Sequence, residues 1–283
     1  MINLKKYIKE SLLDDEEEVF DGAIEGIVKK FLKTNYDISG SYAVKETKDG
    51  LVVDVNGNIC IKGGNIISLT GGLFEFGSID GDFFCSFCRG LKTLKGAPKE
   101  VKGDFECICC RSLTSLEHAP KEVEGVFNCG GCDLLKTLEG APEKVGEDFC
   151  CIGCDLLKTL EGAPEKVGGN FSCSNCKSLK SLKGAPKEIR GKFDCSYCKS
   201  LISLEGAPQK VGKFFNCYNC ESLTSLKGAP KNCYDFYCAG CKSLKTLEGA
   251  PKDCHDFYCN NCGVQFTEED VRKHVNAVKK IIL

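Results

Sequence analysis

The 283-residue chain lacks any run of the ~18 apolar residues that a membrane-crossing helix needs. Its first 20 residues, MINLKKYIKESLLDDEEEVF, have no apolar core and soon turn acidic. A secretory signal is therefore not expected, and an Arg-rich, acid-poor transit peptide is excluded. Charge of one sign is also missing. With 38 Lys and Arg against 40 Asp and Glu, the net charge is -2 and the pI about 6.0, which argues against a strong binder of nucleic acid or of an anionic membrane. Histidine is scarce, limited to His118, His255 and His274, and no nucleophile–base–acid set can be assembled around them. Neither G-x-x-x-x-G-K-[ST] nor G-x-G-x-x-G occurs in a suitable context. The chain is not expected to be an enzyme.

What is present is a tandem repeat. Pro98, Pro120, Pro142, Pro164, Pro186, Pro208 and Pro230 follow one another at 22 residues, and Pro251 comes 21 later. Nine CxxC pairs, from Cys85/Cys88 to Cys259/Cys262, keep the same beat and use 18 of the 23 cysteines. The consensus is G-x-F-x-C-x-x-C-x-x-L-x-[ST]-L-x-G-A-P-x-x-V-x. Proline and glycine leave no room for a helix of normal length, while F-x-C alternates as a short strand does. One such unit cannot bury its own apolar side, but stacked units can. The spacing predicts a repeat β-solenoid, right-handed and parallel, with one short strand per 21–22-residue unit. Phe105, Cys107, Leu113, Leu116 and Val123 and their equivalents should face inward.

The unit resembles a leucine-rich repeat, whose pattern is L-x-x-L-x-L-x-x-N/C-x-L. Cys233-x-x-Phe236-x-Cys238-x-x-Cys241-x-x-Leu244 fits it best. Longer units carry one more residue between Val101 and Phe105, near Gly103, where a small turn or bulge is expected. The S-L-x-G-A-P run also resembles short bacterial repeats of the L-P-x-L-P kind. Together with the start, Met1 to Leu12, it resembles uncharacterised repeat proteins of large tailed bacteriophages and gut bacteria. Neither resemblance implies a reaction. With no export signal, 23 cysteines imply reduced thiols and a cytoplasmic protein, in a host cell or a virion if phage-encoded.

Four segments are expected. Residues 1–37 are expected to form a cap or a docking segment, within which 2–35 read as two helices, with Leu4, Ile8 and Leu12 on one and Val19 to Leu32 on the other. Residues 38–80 hold two strands, Ser41–Glu46 and Leu51–Val55, and a degenerate first repeat in which Cys60, Ile66 and Leu69 precede Cys85, Leu91 and Leu94 by 25. The nine-unit array fills residues 81–266. Residues 267–283 open with a capping box, Thr267 to Asp270, and a helix over 268–280 is expected to close the last coil.

The cysteines support three readings. In the first, the leading Cys of each pair fills the core and the second donates its S–H to a backbone carbonyl. Disulfides are disfavoured, because neighbouring strands ~4.8 Å apart hold equivalent Cβ atoms too far apart. Zinc is the third, and the best tetrad would be Cys238, Cys241, Cys259 and Cys262 with His255 nearby. Burial, which raises a thiol's pKa, opposes it. Cys233 and Cys254 replace a core valine, and Cys109 and Cys150 fall on outward positions.

Function is expected on the outer strand face. Tyr197, Phe214, Tyr218, Asn219, Tyr237, Tyr258 and Asn260 concentrate there, while lysines sit mainly on the Leu-to-Pro side. Aromatics with few lysines make an interface composition, and the rings are expected to form one continuous strip. Tyr and Phe are also ordinary strand formers. The leading expectation is a non-enzymatic scaffold that binds a protein partner on this face. The alternatives are a zinc-binding or thiol-sensing repeat protein, and a structural spacer or phage virion or assembly component.

Overall fold

The computed structural model describes residues 17–62 and 64–283. The repeats stack into a parallel β-solenoid of about 10 turns, spaced at about 22 residues. Each regular coil contributes two short strands where one was expected. In the coil around Gly103 these are Glu100–Val101 and Phe105–Glu106, with Val101 and Phe105 both buried. Lys102-Gly103-Asp104 bends the chain between them, so the extra residue forms a corner, as the repeat length implied. Equivalent strands pair in register at 22 residues, Val101 with Val123 and Phe105 with Phe127. The ladder continues past Glu106, because Cys107 N–H donates to Asn128 O at 2.8 Å and Cys109 N–H to Gly130 O at 2.7 Å.

Close stacking explains the corner residues. A Cβ on Gly125 would lie 2.7 Å from Gly103 O, so this corner requires glycine where two such corners stack directly. The next residue ties the corners together. Asp82 Oδ1 accepts from Asp104 N–H at 2.8 Å, and Asp104 Oδ1 from Val126 N–H at 2.7 Å. Farther along, Asp148 and Asn170 repeat the device toward Lys192. Corner backbone groups, which would otherwise lack partners, are satisfied by the adjoining coil.

Inside, Phe83, Phe105, Phe127, Phe149, Phe171, Phe193, Phe215, Phe236 and Phe257 are fully buried in one stacked column. Ring centroids along it are 5.1 to 5.5 Å apart. Cys107, Leu113, Leu116 and Val123 are buried beside it as expected. On the outside, exposed Lys and Glu pair between coils, as in Lys144–Glu122 and Lys210–Glu188. Exposed pairs of this kind contribute ~1 kcal/mol at most, so the inward columns hold the stack.

The ends depart from expectation. Helix α1 (Glu17–Asn35) packs Val28 and Leu32 into the core, while Ile27 of the expected stripe is exposed. The first expected helix, with Leu4, Ile8 and Leu12, lies outside the described residues. The two expected strands form an antiparallel hairpin, Ser41–Thr47 with Gly50–Asn56. The degenerate repeat sits one residue out of its expected register. Ile59 pairs with Phe83 and Cys60 with Phe84, so Ile59 is buried and Cys60 is exposed.

At the other end, α2 (Glu268–His274) has the Thr267/Asp270 capping box but stops well before residue 280. Ala277–Ile282 is a strand, parallel to Asp253–Tyr258. Val275, Val278, Ile281 and Ile282 suit a pleated surface, and the last rung offers open hydrogen-bonding groups that a longer helix could not use. Val271 and Val275 are buried as the apolar stripe implied.

Candidate functional site

The outer face is built from residues between the inward ones. The third residue of each CxxC box adopts a left-handed backbone in every coil. Gly131, Gly153 and Gly240 do so at φ 67 to 73, and Asn175, Asn219 and Asn261 at φ 54 to 57. These residue types tolerate that conformation. The glycines and asparagines are therefore explained by the turn that ends each strand. Asn219, expected as a partner-binding residue, belongs to this column and is half-buried, lying against Gly240. Asn260 is also half-buried, and its carbonyl accepts Gly240 N–H at 2.9 Å. Three residues break the column: Phe87, Cys109 and Tyr197, at φ 61, 55 and 58. Phe87 and Tyr197 are also exposed.

The expected aromatic strip is two clusters. Tyr197 and Tyr218 meet edge to face, 5.4 Å between centroids. Phe214 meets Tyr237 edge to face at 5.6 Å, and Tyr237 stacks on Tyr258 at 4.3 Å. Among the described residues no ring contact joins Tyr218 to the second cluster. The reason is register. Tyr218 follows the first Cys of its pair, whereas Tyr237 and Tyr258 follow the inward Phe. The positions that would bridge them carry Asn216 and Ala239. Tyr197 and Tyr218 remain exposed, while Tyr237, Tyr258 and Phe214 are half-buried.

The thiols follow the packing reading. From the second pair onward, the second Cys donates to the carbonyl of the first Cys one coil back, as from Cys132 Sγ to Cys107 O at 3.1 Å and from Cys176 Sγ to Cys151 O at 3.2 Å, while Cys88 of the first pair turns to Ser86 O. The series runs from Cys110 to Cys262. The adjoining thiol and burial together hold Cys107 and Cys129 well above the usual thiol range. Burial leads the same effect at Cys217 and Cys238. All nine leading cysteines are therefore poor thiolates at neutral pH. Cys238, Cys241, Cys259 and Cys262 do not form the tetrad considered for zinc, because Cys241 and Cys262 point at the carbonyls of Cys217 and Cys238. Cys109 and Cys150 are half-buried, and burial raises the Cys150 thiol. Cys254 is buried and Cys233 half-buried against the core.

Among the described residues, three ligand-type side chains do gather within 4.8 Å of one another: Asp235, His255 and Asp256. The sequence reading missed this group. Its signal was the run Asp-Phe-Tyr-Cys at 235–238, repeated at 256–259 in the two shortened units. Compared with known proteins, the chain matches no family model, no curated protein and no solved structure, so its own residues carry the functional reading.

Proposed function

We propose that the protein is a non-catalytic interaction scaffold that binds a protein partner on the outer strand face of its C-terminal half. Tyr197 carries the reading. Its backbone sits at φ 58, where neighbouring coils use Gly or Asn, and its ring is 45% exposed. An aromatic residue in that conformation costs ~1 kcal/mol, and among the described residues its ring contact is with Tyr218, itself exposed. Strain kept at an exposed ring is a mark of use, and Tyr is favoured at interfaces because one side chain offers apolar area and a hydroxyl. Tyr218 lies edge to face with Tyr197 and extends the apolar ridge.

The leucine-rich-repeat likeness belongs to the same proposal. The second Cys stands at the Asn/Cys position of that pattern, and its S–H supports the backbone of the adjoining coil. A reducing compartment suits cysteines used as core and as donors.

Affinity capture from the native cell, with wild type and Tyr197→Asn side by side, tests the reading. Asn suits the left-handed position, so the variant should melt at or above the wild-type temperature. It should retain any partner at least ~30-fold less well if Tyr197 is a hot spot worth ~2 kcal/mol. Equal retention by both proteins would remove the proposal.

A further inference from the structure

The two shortened coils build a second outer feature. The missing residue removes the corner, and Asp253–Tyr258 runs as one six-residue strand. The position two before the inward Phe, glycine in most coils, becomes Tyr234 and His255. Tyr234 stacks on the imidazole at 4.7 Å and 10°, which fixes the ring's plane. Asp235 and Asp256 are in-register neighbours on adjacent rungs. Tyr237 OH donates to Asp235 Oδ2 and Tyr258 OH to Asp256 Oδ2, each at 3.3 Å. The other oxygens turn toward His255. Asp256 Oδ1 lies 2.7 Å from Nδ1 and Asp235 Oδ1 lies 3.8 Å from it.

One ring nitrogen cannot satisfy both carboxylates, because it holds a single proton. Asp235 Oδ1 is left buried without a hydrogen-bond partner. We propose that Asp235, His255 and Asp256 bind one divalent first-row transition ion of the Mn²⁺ or Zn²⁺ type. Such an ion, with ligands at ~2.0–2.2 Å, would engage Nδ1 and both Oδ1 atoms together. The mixed imidazole and carboxylate set suits Mn²⁺, Fe²⁺ or Zn²⁺ better than Ca²⁺ or Mg²⁺, which favour all-oxygen shells. The tyrosine hydroxyls act as the outer partners that orient metal-binding carboxylates. An open groove of about 900 Å³ reaches Tyr234 and His255. Lys279 Nζ, 3.4 Å from Nε2, is on an exposed side chain that can swing away when Nε2 carries the proton.

The inference does not rest on partner binding, since the ion is added to the purified chain alone. Mn²⁺ is the probe, because the many thiols of this chain compete poorly for it. Chelator-stripped protein is titrated, and free Mn²⁺ is read by electron paramagnetic resonance. Wild type should take up one ion per chain in the micromolar range. His255→Ala and the near-isosteric Asp235→Asn should weaken uptake at least ~10-fold, and Cys259→Ser should not change it. Circular dichroism melting establishes that each variant is folded. Co²⁺ loaded in place of Mn²⁺ should give weak visible bands without an intense thiolate-to-cobalt band. No uptake by wild type at millimolar Mn²⁺, uptake unchanged in both Asp235→Asn and His255→Ala, or a strong thiolate band would overturn the assignment.

Discussion

The regular coils between residues 100 and 230 and the two shortened coils that follow share their inward residues and differ in their corners. Phe215, Phe236 and Phe257 stack at 5.4 Å per step, like the rings before them. Cys241 and Cys262 donate one coil back like the earlier second cysteines. Yet one lost residue turns two strands and a bend into the single strand Asp253–Tyr258. Tyr234 and His255 then stand on adjoining rungs at a position that most regular corners give to glycine. The inward columns are held by repetition, because each ring needs the same neighbour above and below. The corner is held only by fit to the adjoining coil, so a local change there creates new surface without disturbing the core.

The two regions share their thiol ladder, and alkali should break both. All nine leading cysteines are pushed above the usual thiol range, from Cys85 in the first coil to Cys259 in the last. A thiol kept protonated by folding contributes stability that is full below its unfolded pKa of ~8.5 and is lost as pH rises toward the folded value. Each such group removes ~1.4 kcal/mol per pH unit, so nine together amount to on the order of 10 kcal/mol per unit, comparable to a whole domain's stability. Cooperative unfolding is expected between pH ~9 and ~10.5, followed by circular dichroism. The regions should separate in order of reaction. Cys259, pushed up only to about 12, should be alkylated before Cys129, which mass spectrometry of brief labelling can read.

Removing a ring sharpens the contrast next. Phe149→Ala should cost ~3–5 kcal/mol in urea unfolding, since Phe127 and Phe171 stack on its two sides. Phe257→Ala should fall at or below the low end of that range, because Ile281 rather than a ring is its partner on the far rung. Equal losses would mean that the column does not act through its neighbours.

Restoring the missing residue breaks the comparison directly. A glycine inserted between Cys254 and His255 should re-create the corner and separate His255 from Asp235. Two inter-coil hydrogen bonds are at stake, His255 N–H to Tyr234 O and Cys233 N–H to Asp253 O, so the cost should be ~1–3 kcal/mol. Loss of the His255 ring contact with Tyr234 by NMR would report it. The smallest effect is expected at His118, which holds φ 71 where the other Gly-Ala-Pro turns carry glycine. His118→Gly should raise stability by ~1 kcal/mol in thermal melts.

Much of this architecture was legible in the residues. The 22-residue period, the inward Phe, Cys, Leu and Val columns, the hairpin after Tyr36 and the Thr267 capping box all follow from local chemistry or strict repetition. The left-handed column was also legible in Gly131, Gly153, Asn175, Asn219, Gly240 and Asn261, since those residue types share that backbone preference. Their turn chemistry accounts for what otherwise reads as a bare or polar patch of binding face.

Other features depended on contacts between coils, across 20 or more residues. The second strand of each regular coil exists because Val101 meets Val123. Ala277–Ile282 is a strand because Asp253–Tyr258 offers it a rung, against the helical period of Val271, Val275 and Val278. Register between neighbouring coils split the aromatic strip into two clusters, although every ring was visible beforehand. The same register gathered Asp235, His255 and Asp256. Repetition in the chain determined what lies inside the solenoid, because a buried column must match itself in every coil. The outer surface is free of that requirement, so only the stacking of one coil on the next decided which of its side chains meet.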